Sequence, residues 1–175
     1  HFVAQCLDSV LQATRNIDAE VWVVDNASGD GSLEMLSPQY PSVHFIANSE
    51  NVGFARANNQ ALRQVDAEYS LLLNPDTLVG ESTLEACLRF MQQHPEAGAL
   101  GVRMMNAQGE FLAESKRGLV TPFVAFCKIA QLGRLFPKSA VFNRYYLGHL
   151  SKEEVQEAPI LSGAFFFARS EALRK

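Results

Sequence analysis

Cysteine is scarce and poorly spaced for cross-linking. Cys6, Cys87 and Cys127 make an odd count with no Cys-x-x-Cys pair, which excludes a disulfide framework and reads as three reduced core thiols in a cytosolic protein. Long hydrophobic runs are missing too. No stretch approaches the roughly 18 apolar residues of a bilayer-spanning helix. The nearest, Leu119 to Leu135, is broken by Pro122, Lys128, Gly133 and Arg134 and reads as a core or surface helix. The opening residues are amphipathic rather than a basic and then apolar leader, so no signal peptide is expected. An excess of positive charge is also absent: 15 basic residues stand against 19 acidic ones, for a formal net charge of −4. That balance gives no sign of the basic stripe of a nucleic-acid-binding protein. Neither G-x-G-x-x-G nor G-x-x-x-x-G-K-[ST] occurs, which argues against a dinucleotide oxidoreductase and a P-loop nucleotidase.

What is present is a chain of 175 residues, 47% hydrophobic, enough for one real core and one domain. Phe2, Val3, Cys6, Leu7, Val10 and Leu11 recur at helical spacing, predicting a first helix that ends near Thr14 to Asn16. Strands are expected at Glu20 to Asp25, Val43 to Ala47, Tyr69 to Leu73 and Ala99 to Met105. Pro159 to Phe167 is a last apolar strand, interrupted by Ser162-Gly163. Ser32 is expected to cap a short helix through Leu36. Phe54, Ala57, Ala61, Leu62 and Val65 share one face of a helix over 53–65. Ser82-Thr83-Leu84-Glu85 matches a capping box before a helix buried through Leu84, Leu88 and Met91. Thr121-Pro122 is a cap followed by Pro at the first helical position. Residues 137–157 lack a pattern and predict an irregular loop. Strands alternating with helices over the first hundred residues call for an α/β fold with a mostly parallel, doubly wound central sheet and helices on both faces. The last third predicts an antiparallel or edge extension. A βα pattern that opens on a helix, and a helix start cut short at Ser170 to Leu173, read as a fold truncated at both ends.

Chemistry-bearing residues gather at strand ends. Asn74-Pro75-Asp76 closes the apolar run Ser70-Leu71-Leu72-Leu73, and the Pro stops the strand's ladder just before a carboxylate. Open α/β sheets bind ligands at such carboxyl edges. Val21-Trp22-Val23-Val24-Asp25 repeats the design. Between the two lies Asn51-Val52-Gly53-Phe54-Ala55-Arg56-Ala57-Asn58-Asn59, so one shared cleft is expected. Asp25 suits a hydrogen-bond acceptor for the base or ribose of a nucleotide, beside the N–H groups of the Asn26 to Ser32 turn; it also suits a helix cap. Gly53, lacking a Cβ, admits a ligand to a helix N-terminus, with Arg56 and Asn58 in the next turns. Asp76 suits a Mg²⁺ or Mn²⁺ ion that neutralises a diphosphate leaving group, with Asn74 orienting the site. A plain Asn-Pro-Asp-Thr turn is the alternative.

The ordered succession Val23-Val24-Asp25-Asn26-Ala27-Ser28-Gly29-Asp30-Gly31-Ser32, then Asn51 to Asn59, then Leu72-Leu73-Asn74-Pro75-Asp76-Thr77 resembles family 2 glycosyltransferases of the GT-A fold, most closely the bacterial rhamnosyltransferase-like branch. The likeness runs over nearly the whole chain. Lys116-Arg117-Gly118 and Ser162-Gly163-Ala164-Phe165-Phe166 resemble further segments of that branch.

The resemblance implies a nucleotide-sugar donor (a UDP- or dTDP-sugar), a divalent metal, and inverting transfer onto a saccharide or lipid-linked acceptor in bacterial cell-envelope polysaccharide biosynthesis. It implies a cytoplasmic protein, with peripheral association at the inner face of the cell membrane as an option. Donor-site positions would be Asp25, Asn26, Ser28, Gly53, Arg56, Asn58, Asn74 and Asp76. Asp25 would contact the base or ribose, and Asn58 would face the nucleotide. Asn74-Pro75-Asp76 stands in place of the family's Asp-x-Asp, so Asp76 would carry the metal contact. Ser162, Gly163 and Ala164 would lie on the acceptor side. The implied division is a nucleotide-sugar-binding half over 1–105 and an acceptor-side half over 106–175. The family's catalytic base would fall beyond Lys175, so 1–175 alone is expected to turn over poorly or not at all. Two other readings are a non-catalytic nucleotide-sugar-binding module and a sugar nucleotidyltransferase.

Overall fold

The computed structural model describes residues 2–151 and 153–173. In chain order the elements are α1 (Phe2–Ala13), β1 (Val21–Asp25), α2 (Ser32–Leu36), β2 (Val43–Ala47), α3 (Phe54–Leu62), β3 (Tyr69–Leu73), α4 (Thr83–Gln93) and β4 (Ala99–Leu100). They continue with a 3₁₀ turn at Ala113–Ser115, β5 (Lys116–Arg117), α5 (Pro122–Ile129), α6 (Leu132–Leu135), β6 (Ile160–Leu161), β7 (Phe165–Arg169) and α7 (Ser170–Leu173). Two compact units result, His1–Gly98 with Ala168–Lys175, and Ala99–Phe167.

In the first unit β1 and β2 pair in parallel, Val21 with Val43 through Asp25 with Ala47. The intervening segment carries α2, the kind of crossover that parallel neighbours require. Leu7, Leu36, Tyr40 and Val43 form the buried cluster here, with Val3, Leu11, Val21, Val23 and Phe45 packed around it. Fully burying a side chain of this size is worth about 1.5–3 kcal/mol, so the α1 stripe pins that helix to β1 and β2. Helix α4 buries Leu84, Cys87 and Met91. Arg169 fastens its far end. The guanidinium donates to the carbonyls of Met91 (2.6 Å), His94 (3.2 Å) and Ala97 (3.0 Å) and to the Tyr69 hydroxyl (3.2 Å). These include last-turn helix carbonyls that lack intrahelical partners.

In the second unit β5 and β6 pair antiparallel, Lys116 with Leu161 and Arg117 with Ile160. Asn106 folds the preceding turn, its side-chain oxygen accepting from the N–H groups of Gln108 (3.0 Å) and Glu110 (2.9 Å). Thr121 caps α5 as expected, accepting from the Val124 N–H at 3.3 Å ahead of Pro122. Residues 137–149 are a chain of turns, irregular as expected, tied back by Gly118 N–H donating to the Tyr145 carbonyl at 2.9 Å.

Four local expectations change. Ala99 to Met105 continues as strand only to Leu100, with a single bridge from Met105 to Phe111 further on. Ser32 does not cap α2: it is the first helical residue, and Asp30 accepts its N–H at 2.9 Å instead. Ser82 makes no side-chain cap on α4, because its backbone (φ −93, ψ 0) is turned rather than extended. Phe54 is 62% exposed, since it opens α3 at the edge of the face that Ala57 buries.

Candidate donor site

The first two motifs are joined by a lattice of side-chain amides. Asn26, just past β1, donates to the Asn51 side-chain oxygen at 2.8 Å. Its own oxygen accepts from the Val52 N–H (3.0 Å) and from the Asn48 amide (3.3 Å). Asn48 and Gln60 exchange reciprocal bonds of 2.9 Å each, tying the end of β2 to α3. Asn51 in turn accepts the Gly53 N–H at 3.0 Å. Satisfied networks of this kind hold a loop in one arrangement because every unmade bond costs free energy. Asn48, Asn51 and Gln60 were not singled out from the sequence as site residues. The amide-rich spacing around β2 was the available signal.

Gly53 introduces α3 with φ 85 and ψ 159. Only glycine occupies that backbone region without strain. A Cβ placed there would meet nothing within 4 Å, so the requirement is conformational and the space a side chain would take at Gly53 is open. Arg56 is exposed on α3. The Asn58 amide donates back to the Phe54 carbonyl at 2.8 Å, occupying one of its donors within its own helix.

Asp25 ends β1. Its carboxylate accepts from the Ser28 N–H at 3.3 Å and from the Ser28 hydroxyl, so it braces the loop and uses part of its acceptor capacity there. Ser28 also donates to Asp30 at 3.1 Å. The hydroxyl and N–H of Ser32, then the Ser28 hydroxyl, hold the exposed Asp30 carboxyl below its ordinary range. Gly29 and Gly31 take positive φ in this loop.

The third motif is anchored to α1. Asn74, Pro75 and Asp76 form a turn closed by the Thr77 N–H on the Asn74 carbonyl at 3.2 Å. The Cys6 thiol meets that same carbonyl at 3.8 Å. One turn on, Ser9 accepts the Val79 N–H at 3.1 Å, and Gln12 donates to Glu81 at 3.3 Å. Helix α1 and the segment after β3 thus run side by side. Asp76 is exposed, while Cys6, against the Asn74 carbonyl of the same turn, is buried. Burial pushes the Cys6 thiol up, a hydrogen bond at Thr77 pulls it down, and the negative charge of Asp76 raises it further. All three cysteines are free and buried, as the sequence leads one to expect.

In the second unit, Ser162 and Gly163 interrupt the apolar strand between β6 and β7, with the Ala164 N–H donating to the Ser162 hydroxyl at 3.3 Å. Gly163 is exposed. The pairing of β5 with β6 makes Lys116-Arg117 and the Ser162 turn close neighbours within this unit.

As to a metal, no group of three or more His, Cys, Asp or Glu suited to an ion occurs among the described residues. Asp76 offers a single carboxylate, with hard oxygen ligands, in an exposed turn. Mg²⁺ commonly takes one or two protein carboxylates, with substrate phosphates and water completing the shell. The residues present fit a metal carried in with a diphosphate, and not one caged by protein alone.

The family model for glycosyl transferase family 2 matches residues 1–175. This chain belongs to glycosyl transferase family 2. The resemblance drawn from the three ordered motifs is thereby borne out. Among relatives, an N-acetylglucosaminyl-diphospho-decaprenol L-rhamnosyltransferase of Mycobacterium tuberculosis is 26% identical over 165 residues, covering 87% of this chain and 52% of that protein. The family 2 chain here thus spans about half the length of that curated relative. The solved mannosyltransferase PcManGT of Pyrobaculum calidifontis, in complex with GDP-Man and Mn²⁺, superposes with a TM-score of 0.62 at 20% identity, over 99% of this chain and 42% of that one. TarS 1-349 of S. aureus in complex with UDP superposes with a TM-score of 0.51 at 23% identity, over 70% of this chain and 35% of that one. The fold is the GT-A glycosyltransferase α/β fold.

Proposed function

We propose that this protein is the donor-binding part of an inverting glycosyltransferase that moves a sugar from a nucleotide diphosphate onto a saccharide or lipid-linked acceptor of a bacterial cell-envelope polysaccharide. The observation that carries this reading is the amide lattice that fixes the Asp25 loop and the glycine-led start of α3 as one unit. The relatives add support: one carries a rhamnosyltransferase name with a diphospho-decaprenol acceptor, and solved neighbours hold GDP-Man with Mn²⁺ or UDP.

In this reading Asp25 accepts hydrogen bonds from the base or ribose with the lone pairs that Ser28 leaves open. Asn26 and Ser28 hold that loop in place. The open space where a side chain at Gly53 would stand lets the diphosphate approach the positive end of α3, where unpaired N–H groups favour anions. Arg56 adds positive charge there, and Asn58 lines the same helix. Asp76 is the metal-holding carboxylate, and Asn74 shapes its turn. A bound Mg²⁺ or Mn²⁺ neutralises charge on the departing diphosphate. Asp25 and Asp76 flank one crevice. Ser162, Gly163 and Ala164 serve the acceptor side, with 1–105 as the donor half and 106–175 as the acceptor half. We assign no residue of this chain to deprotonation of the acceptor hydroxyl. Work at the cytoplasmic face of the cell membrane follows from a lipid-linked acceptor; no described helix is long and apolar enough to cross a membrane.

Calorimetric titration of UDP and of dTDP, each with and without Mn²⁺, tests the reading. Metal-dependent binding of at least one nucleotide, lost in Asp76→Ala, is expected. Retention of metal-dependent binding by Asp76→Ala removes the metal assignment, and no binding of either nucleotide removes the proposed donors.

A further inference from the structure

The charge of this chain is strongly segregated. Between Glu114 and Glu153 there are seven of the 15 basic residues and not one Asp or Glu; the other eight share the rest of the chain with all 19 acidic residues. The overall net charge of −4 hides a strongly basic segment in the second unit. That segment also carries the most exposed apolar surface of the unit. Ile129 is 81% exposed, Leu135 72% and Phe126 60%, with Leu119, Val120 and Phe123 each above half.

Helix α5 shows how this surface is held. Val124 and Cys127 are almost wholly buried, at 2% and 1%, which fixes the rotation of the helix. At about 100° per residue, Phe126 and Ile129 then project on the far side. The Thr121 cap and Pro122 secure the start of the helix. Lys128 sits beside the apolar face with its ammonium 3.7 Å from the centre of the Tyr145 ring and 5.8 Å from that of Tyr146. Arg134, on α6, donates to the Gln131 side chain at 2.9 Å and is exposed, as are Lys138 and Arg144.

We propose that the α5–α6 face docks on the surface of an anionic bilayer, Phe126, Ile129 and Leu135 entering the acyl boundary while Lys128, Arg134 and Lys138 meet acidic headgroups. The two parts of the surface call for a partner apolar in depth and anionic at its rim, and a bilayer with acidic lipids supplies both. A nucleic acid would use the cations and stack on the phenyl rings, but it offers nothing to Ile129, Leu135, Leu119 or Val120. Tyrosine and lysine beside an apolar face are also the side chains favoured at headgroup level. This inference rests on the lipid-linked acceptor of the proposed function, and it names the surface that brings the enzyme to that acceptor.

Vesicle flotation tests it. The probes are vesicles of phosphatidylcholine alone and vesicles containing about one-third phosphatidylglycerol, at low and high salt. Binding to the anionic vesicles, weakened by salt, is expected. Phe126→Ser and Ile129→Ser should each lower partitioning roughly tenfold through lost apolar insertion. Arg134→Glu and Lys138→Glu should each lower it roughly fivefold or more. All four side chains are solvent-exposed, and unchanged circular dichroism and melting will verify that the variants fold. Phe2→Ser, at an equally exposed phenyl ring on α1 (72%), should leave vesicle binding unchanged. Failure to bind anionic vesicles overturns the proposal, as does binding that survives all four substitutions. Binding of an oligonucleotide or of polyglutamate in place of vesicles does so too. Nucleotide titration of the same samples separates the two readings: vesicle binding lost with UDP or dTDP binding retained supports this surface, whereas absent nucleotide binding strikes only the donor assignment.

Discussion

Replacing Gly53 by alanine isolates one physical quantity, the cost of a backbone conformation. At φ 85 and ψ 159 the residue lies where side chains are not tolerated, and holding an L-residue there costs of order 1–3 kcal/mol. Steric overlap adds nothing, because no atom lies within 4 Å of the added Cβ. Alanine also reduces the freedom of the unfolded chain, which offsets about 0.4–1 kcal/mol. The net expectation is a destabilisation of about 1–2 kcal/mol, or a melting temperature lower by roughly 2–8 °C for a chain of this size. The alternative to bearing the strain is to rotate the backbone, which pulls the Gly53 N–H from Asn51 (3.0 Å) and disturbs the Val52 bond to Asn26 (3.0 Å). Either route should weaken nucleotide binding about tenfold, the equivalent of roughly 1.4 kcal/mol. Gly163 is the control: it too has open space, but its φ lies outside the left-handed region, so Gly163→Ala should leave stability unchanged or slightly raised. Thermal melts and UDP titration with Mn²⁺ read both effects. A Gly53→Ala protein that melts within a degree of wild type and binds nucleotide equally well refutes the conformational argument.

Arg169→Met removes four donated hydrogen bonds at the end of α4 and should cost about 2–4 kcal/mol in urea denaturation. Arg169→Lys should recover less than half, since one ammonium cannot span Met91, His94, Ala97 and Tyr69 together; equal stability of the Lys variant and wild type would contradict the clamp. Burial raises the Cys87 thiol from 9.0 to about 11, so the folded state resists its ionisation. Its contribution to stability is complete below pH 9 and is lost as pH rises towards 11. Urea midpoints across that window should fall in wild type and fall less steeply in Cys87→Ala.

Much of the architecture was legible because local rules agree with the fold. β1, β2 and β3 fall within a residue of where apolar runs bounded by turns put them, and α1 ends at Ala13, one residue before the expected end near Thr14 to Asn16. Thr121-Pro122 starts a helix because its cap geometry is set within four residues. Ser32 and Ser82 failed as caps for a complementary reason. A capping motif names candidates, while the φ and ψ that make one of them the cap are set by the turn before it. Phe54 failed similarly, because a helical face can be read from spacing but the extent of its coverage cannot.

The sequence alone determined the family, the order of the three motifs and the glycine and carboxylates within them, since these depend on residue type and short spacing. Tertiary structure decided which groups meet. It joined Asn26, Asn48, Asn51 and Gln60 into one lattice, set Cys6 against the Asn74 carbonyl of the Asp76 turn, and turned Phe126 and Ile129 outward by burying Val124 and Cys127. The physical reason is that hydrogen bonds and burial are relations between residues distant in sequence, and only the folded backbone brings those residues within reach.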